Sequence, residues 1–289
     1  TSPLPTPTTL PNRPTITSNH TFNIVQLSDL HLTGDIGQAP SYQRFLAVFQ
    51  TAKHLNPDLW LLTGDLVNDG NSDAYDWLFN QLQATKIPYL AVAGNHDVTH
   101  EIGIHLAHQE RIHVPILPDR RLKNCFRYTF QAGHDWQILL LNSSVSGEIF
   151  GLLTHETLLW LDQTLTTHFE QTIIALHHHP TKVSSDWIDA HLLKNHQDFW
   201  HVIKKHAHVH TILCGHVHQV HTLHPLPAHQ VQLLSCPSTD RQFMPFVDNF
   251  QIADTPAGCR MIQIDNKGIV SSYIQIVQNT HSFCLNNAN

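Results

Sequence analysis

Five short stretches, far apart in the chain, carry groups able to hold metal ions. They are Asp29-Leu30-His31, Gly64-Asp65, Gly94-Asn95-His96-Asp97, His177-His178-His179 and Gly215-His216-Val217-His218. Imidazoles mixed with carboxylates suit zinc, iron or manganese better than calcium, which prefers all-oxygen shells. A carboxylate set between two such ions can bridge them and offset their mutual repulsion. Ions about 3.5–4 Å apart can then clamp both the attacking and the departing oxygen of an in-line displacement. Taken singly, Asp29 and Asp65 read as turn or helix-cap carboxylates. Any one histidine could be incidental in a chain that has 26 of them. Together the five stretches ask for a shared site.

Each stretch follows the same kind of segment. FNIVQLS (22–28), LWLLTG (59–64), YLAVAG (89–94), WQILLLNSS (136–144), TIIALHH (172–178) and VHTILCG (209–215) are short apolar runs closed by Gly, Asn, Ser or His. Such runs predict strands buried on both faces. The candidate ligands then stand at strand carboxyl ends, where ligands of open α/β sheets gather. Helical spacing of apolar residues predicts helices over 42–55 and 71–84, and similarly over 155–166 and 188–205. Beyond residue 219 shorter strands are predicted at 229–236, 259–265 and 269–277. Strand–helix alternation followed by strands predicts two packed sheets with helices outside. The expected organisation is an extended Pro/Thr-rich arm over 1–21, a single domain over 22–280 with a loop-rich segment at 237–257, and a tail over 281–289.

The order D-x-H, G-D, G-N-H-D, H-H-x-P and G-H-x-H resembles the calcineurin-like metallophosphoesterases. The likeness spans roughly Ile24 to Val277. Further segments, SDWIDAHLLKN (185–195), PSTDRQFMP (237–245) and DNFQIADTPAGCR (248–260), are similar to bacterial class III 3′,5′-cyclic AMP phosphodiesterases. The resemblance implies an α/β fold, a four-layer αββα sandwich of two mixed β-sheets flanked by helices. It also implies two metal ions per chain, iron and/or manganese, with zinc compatible. One ion would take Asp29, His31, Asp65 and His218. The other would take Asp65, Asn95, His177 and His216, with Asp65 as the bridge.

The activity implied is hydrolysis of 3′,5′-cyclic AMP to 5′-AMP by a hydroxide shared between the ions. His31, Asp65, Asn95, His96 and His218 would meet the substrate. His96 would steady the phosphoryl oxygens and protonate the departing 3′ oxygen, with Asp97 fixing its tautomer and orientation. Of His178 and His179, one is expected behind the ligands or facing phosphate and the other in solvent. His201, His206, His208 and His210 are expected on surface helix and loop, and Cys214 as a buried small hydrophobe. Phe243, Phe246 and Phe250 could stack on adenine, but packing of the 237–257 segment is the expected role.

Composition narrows the classes. The 289 residues are 41% hydrophobic and only 13% charged, with a net charge of −7. The 16 Lys and Arg are scattered and form no basic face, which argues against polymeric DNA or RNA. Five cysteines without C-x-x-C spacing read as reduced thiols, and no apolar run of about 18 residues is present. A cytoplasmic protein acting on a small cyclic nucleotide is the expectation, with no membrane and with oligomeric state open. A broader phosphodiesterase acting on glycerophosphodiesters or 2′,3′-cyclic nucleotides is the alternative. A non-catalytic scaffold of the same fold is the remote one, since such a chain would be expected to have lost ligands.

Overall fold

The computed structural model describes residues 21–105 and 110–277. Nearly all of the expected N-terminal arm and the whole C-terminal tail lie outside the described residues. In chain order the first half runs β1 (Phe22–Leu27), α1 (Pro40–Lys53), β2 (Leu59–Thr63), α2 (Ser72–Ala84) and β3 (Tyr89–Val92). It continues with β4 (Thr99–His105), β5 (Glu110–Pro115), β6 (Phe126–Ala132) and β7 (His134–Leu140). The second half runs α3 (His155–Thr167), β8 (Gln171–Ala175), α4 (Asp186–Asp189), α5 (His196–Ile203) and β9 (Val209–Cys214). Shorter strands follow: β10 (Thr222–Leu223), β11 (Gln232–Ser235), β12 (Gln242–Phe243), β13 (Ile252–Ala253), β14 (Gly258–Ile264) and β15 (Val270–Ile276).

Two mixed sheets result. One has the order β15-β14-β1-β2-β3, the other β10-β11-β9-β8-β7-β6. In the first, β1, β2 and β3 run parallel while β14 and β15 are antiparallel. In the second, β7, β8, β9 and β11 are parallel between antiparallel edges.

The alternation of side chains along each strand sorts the core into three layers. Ile24, Leu59, Leu61 and Val92 of the first sheet meet Phe130, Trp136, Ile138 and Ile173 of the second. The opposite face of the first sheet, with Val25, Trp60 and Leu62, is covered by Phe45, Phe49, Leu78 and Phe79 of α1 and α2. On the second sheet, Leu139, Ile174 and Ile212 are covered by Leu161, Leu165, Phe199 and Ile203 of α3 and α5. The order helix, sheet, sheet, helix is the expected four-layer sandwich. It explains why the inner strands are apolar throughout: both of their faces are buried.

Local signals fix the helix ends. The side chain of Asn71 accepts the Ala74 amide and starts α2, and Thr154 does the same for α3 through Thr157. The helix expected over 188–205 is two helices, α4 and α5. The amides of Leu193 and Lys194 donate to His179 and Gly151 carbonyls instead of continuing the helical ladder. The hairpin β4–β5 and strand β6 lie in a stretch without a predicted apolar run. The 237–257 segment carries the two-residue pair β12 and β13.

Candidate metal centre

The loops after β1, β2, β3, β8 and β9 meet at one end of the two sheets. Asp29, Asp65, Asn95, His177, His216 and His218 are all buried there, and His31 and His96 are half-buried. Ligand atoms of Asp29, His31 and His218 lie within 4.8 Å of one another; so do those of Asp29, Asp65 and His177, and those of His31, Asp65 and His96. Asp65 thus belongs to clusters on both sides. Asn95 Oδ1 is 3.2 Å from His177 Nε2.

Backbone conformation puts them there. Asp29, His31, Asp65, His216 and His218 all have positive φ, between 48° and 68°. L-residues adopt this left-handed region rarely, at roughly 1–3 kcal/mol each, and such strain concentrates at functional sites. Glycines make room for the crowding. Gly64 has φ +91°, and a Cβ there would lie 2.5 Å from His177 Nδ1; a Cβ on Gly215 would lie 2.0 Å from Ser28 Oγ.

Hydrogen bonds show what these groups face. His31 Nδ1 donates to Asn68 Oδ1 at 2.6 Å, His218 Nδ1 to the Arg241 carbonyl at 2.7 Å and His177 Nδ1 to the Thr63 carbonyl at 2.7 Å. Each neutral ring then has only a lone pair on Nε2. Those lone pairs point at other acceptors: His31 Nε2 at His218 Nε2 (3.1 Å), His218 Nε2 at Asp29 Oδ1 (3.2 Å), His177 Nε2 at Asp65 Oδ2 (3.4 Å). His216 Nδ1 faces His177 Nε2 at 3.2 Å, and its buried Nε2 has no partner among the described residues. Acceptors converging on acceptors repel unless a proton or a metal ion lies among them, and a donor set of this kind fits metal ions, which displace such protons.

Electrostatics agree. Burial alone would raise the carboxyl groups of Asp29 and Asp65. The positive charge attracted onto His218 and His177 outweighs it and holds both below the ordinary carboxylate value. Burial likewise opposes protonation of His177, yet the Asp65 charge lifts it to about 9. Burial, with the neighbouring histidines, pushes His216 far down. The site is short of positive charge.

Three expectations are corrected. Asp97 does not touch the His96 imidazole. Its fully buried carboxylate accepts the amides of Gly94 (2.8 Å), Leu66 (3.1 Å) and Val67 (3.2 Å) and a short bond from the Tyr75 hydroxyl. It holds the turn, not the ring, because three backbone donors and a phenol already surround it. Neither His178 nor His179 reaches solvent. His178 lies between Ser143 Oγ (2.8 Å) and the Ile149 carbonyl (2.9 Å), and His179 pairs with Asp189 at 3.1 Å. Both rings pack against His216. His206 is buried too, 2.8 Å from Asp162, while His201 is exposed and His208 and His210 are intermediate. Cys214 is buried as expected, and burial pushes its thiol up to about 12.

Sequence reasoning missed the partners of the ligands. Asn68 had no signal beyond standing three residues after Asp65. The 237–245 segment had one, as part of the resemblance, and its role is now visible. Ser238 Oγ donates to the Asp29 carbonyl (2.7 Å), Arg241 accepts from His218, and Phe243 stacks on His218 with centroids 3.9 Å apart. Arg260, 2% exposed, ties β14 to the Ser235 and His221 carbonyls.

A cavity of about 410 Å³ opens above this floor, in the size range of small-ligand sites. The β4–β5 hairpin forms one wall, and Trp187, Phe243 and Phe250 form another.

Fold, ordered motifs and acceptor-lined floor define a metallophosphoesterase, and the family model described as calcineurin-like phosphoesterase matches residues 22–220. The chain belongs to that family. It is similar to a probable cyclic nucleotide phosphodiesterase of Moraxella catarrhalis (strain BBH18), 99% identical over 276 residues, 96% of this chain and 100% of that one. It is also similar to the 3′,5′-cyclic adenosine monophosphate phosphodiesterase CpdA of Escherichia coli (strain K12), 32% identical over 265 residues, 89% of this chain and 90% of that one. A solved dimetal phosphatase from Danio rerio shares the fold, with TM-score 0.54, 16% identity and coverage of 89% of this chain and 99% of that one.

Proposed function

We propose that this protein hydrolyses 3′,5′-cyclic AMP to 5′-AMP. The observation that carries the reading is the convergence of carboxylates and imidazole nitrogens on two sides of Asp65, in a chain whose relatives are named cyclic nucleotide phosphodiesterases. Asp29, His31, Asp65 and His218 would hold one ion, and Asp65, Asn95, His177 and His216 the other. Iron or manganese is the expected metal, and zinc suits the same donors. Bound there, the ions supply Lewis-acid polarisation and a water of lowered pKa.

The chain's own residues supply the rest. Asn68, the Arg241 carbonyl and the Thr63 carbonyl fix the tautomers of His31, His218 and His177, so each presents Nε2. His96 lines the cavity, with its amide bonded to Asp65 Oδ1 at 2.8 Å. Burial pushes its imidazole down to about 4, so in the free site it is a neutral N–H donor to a phosphoryl oxygen. The negative charge of a bound diester beside it would offset burial and let it hold the proton for the departing 3′ oxygen. Asp97 acts through the turn that carries Asn95 and His96.

The test is anaerobic purification, elemental analysis, and turnover of cyclic AMP, cyclic GMP and a glycerophosphodiester after reconstitution with iron, manganese or zinc. Two metal equivalents and preferred release of 5′-AMP are expected. Preference for the glycerophosphodiester would establish the broader phosphodiesterase instead.

A further inference from the structure

Resting on that reading, we propose that the base of the cyclic nucleotide is held between the exposed ring of Phe250 and the Glu101–Arg111 pair of the β4–β5 hairpin. Phe250 would be the stacking platform and the ion pair would contact the edge of a purine.

Three aromatic residues stand beside the metal floor, and they are not equivalent. Phe243 has one face on the His218 imidazole, 3.9 Å away and 6° from parallel, so that face is taken. Trp187 meets Phe243 and Phe250 edge-on, at 5.0 and 5.1 Å, and braces both. Phe250 packs against Phe243 at 5.3 Å and 73°, yet the residue remains 56% exposed. A large aromatic side chain on a cavity wall, fixed by two neighbours and open on its remaining surface, offers a base a platform with little ordering left to do. The contact ladder His218–Phe243–Phe250 places that platform next to the floor where the phosphate would lie.

The lining contributed by the hairpin is polar. Arg111 Nη1 donates to Glu101 Oε2 at 2.7 Å across the hairpin, and both side chains line the same cavity. This pair offers one acceptor group and one fork of donors side by side. Adenine presents an N6 amino donor next to its N7 acceptor; guanine presents O6 and N7 acceptors. Adenine can engage both members of such a pair and guanine on that edge only the arginine, whereas a surface ion pair with nothing to recognise contributes little to stability. The pair is therefore assigned to purine recognition, with adenine the better match.

The experiment compares cyclic AMP with base-free ribose 3′,5′-cyclic phosphate on the metal-loaded enzyme, for wild type, Phe250→Ala and the double variant Glu101→Gln, Arg111→Leu. For cyclic AMP, each variant should lose about tenfold in kcat/KM, mainly through KM, as expected for loss of one base contact. The base-free diester should change less than about twofold, which also reports that the variants fold and hold metal. Equal losses on both substrates, or no loss on cyclic AMP, would overturn the base subsite while leaving the phosphodiesterase reading intact. A wild-type enzyme that turns over the base-free diester and not cyclic AMP would overturn both the base subsite and the cyclic AMP assignment.

Discussion

The floor and the rim of the cavity are built on opposite plans. On the floor, the metal-ligating candidates are buried except for the half-buried His31, five of them sit on left-handed backbone, and most rings are pinned at the far nitrogen. On the rim, Phe250 is 56% exposed in the loop between β12 and β13 and the Arg111 side chain is 63% exposed on the β4–β5 hairpin, both outside the two large sheets. The floor is over-determined by the fold, so that a change in one loop disturbs several. The rim is attached to the fold without supporting it. Chemistry and substrate choice therefore reside in parts of the molecule that can change independently.

The most severe way to break the floor is at the residue common to both halves. Asp65→Asn should lose metal from both positions by elemental analysis, and turnover should fall beyond the about 10²–10⁴-fold that loss of one general acid costs. One position left fully loaded would contradict the shared role. His96→Ala should behave differently, with metal content unchanged and kcat lower by about 10²–10⁴-fold. Loss of metal in that variant would move His96 into the ligand set.

The same contrast explains what could be seen in the sequence. The apolar runs of β1, β2, β8 and β9 are legible because both faces of those strands are buried, and the ligands are legible because each ends such a run. The β4–β5 hairpin was not: Thr99–His105 and Glu110–Pro115 mix His, Glu, Arg and Ile with no consistent alternation, and Ile102 and Ile104 are exposed. Nor was the division of labour in Asn95-His96-Asp97. Which neighbour a carboxylate bonds depends on the Leu66, Val67 and Tyr75 donors that folding brings to Asp97 from another loop and helix. Spacing cannot report that. His178 and His179 failed for a related reason, since a run of three histidines gives no sign of which rings the second sheet will bury.

Smaller effects probe the support of the floor. Asn68→Ala removes the acceptor of His31 Nδ1 and should weaken metal binding by about 10–100-fold without changing the ligand count. Unchanged affinity would show that the Asn68 contact does not orient the ring. The protonation state of His177 is a further handle. In the metal-free protein Asp65 lifts it to about 9, so below that pH a cation must displace a proton. Affinity should then weaken about tenfold for each pH unit from 9 down to 7, and the ring should titrate near 9 by NMR. A midpoint near the ordinary histidine value, with affinity flat over that range, would refute it.

The least effect is expected at Phe246, and it sharpens the comparison because the residue shares its loop with Phe243 and Phe250. The residue is 70% exposed and does not line the cavity; among the described residues its one ring neighbour is His221, edge-on at 5.9 Å. Its backbone sits at φ 61°, a conformation that glycine adopts without a Cβ penalty. Phe246→Gly should leave turnover of cyclic AMP unchanged and alter stability by no more than about 1 kcal/mol, with the relief of backbone strain opposed by the greater freedom of the unfolded chain. Thermal unfolding and kcat/KM measured on the same preparation decide it. A loss of turnover with the metals in place would extend the substrate site past Phe250 and remove the division between floor and rim, since a residue that supports neither would then be needed for both.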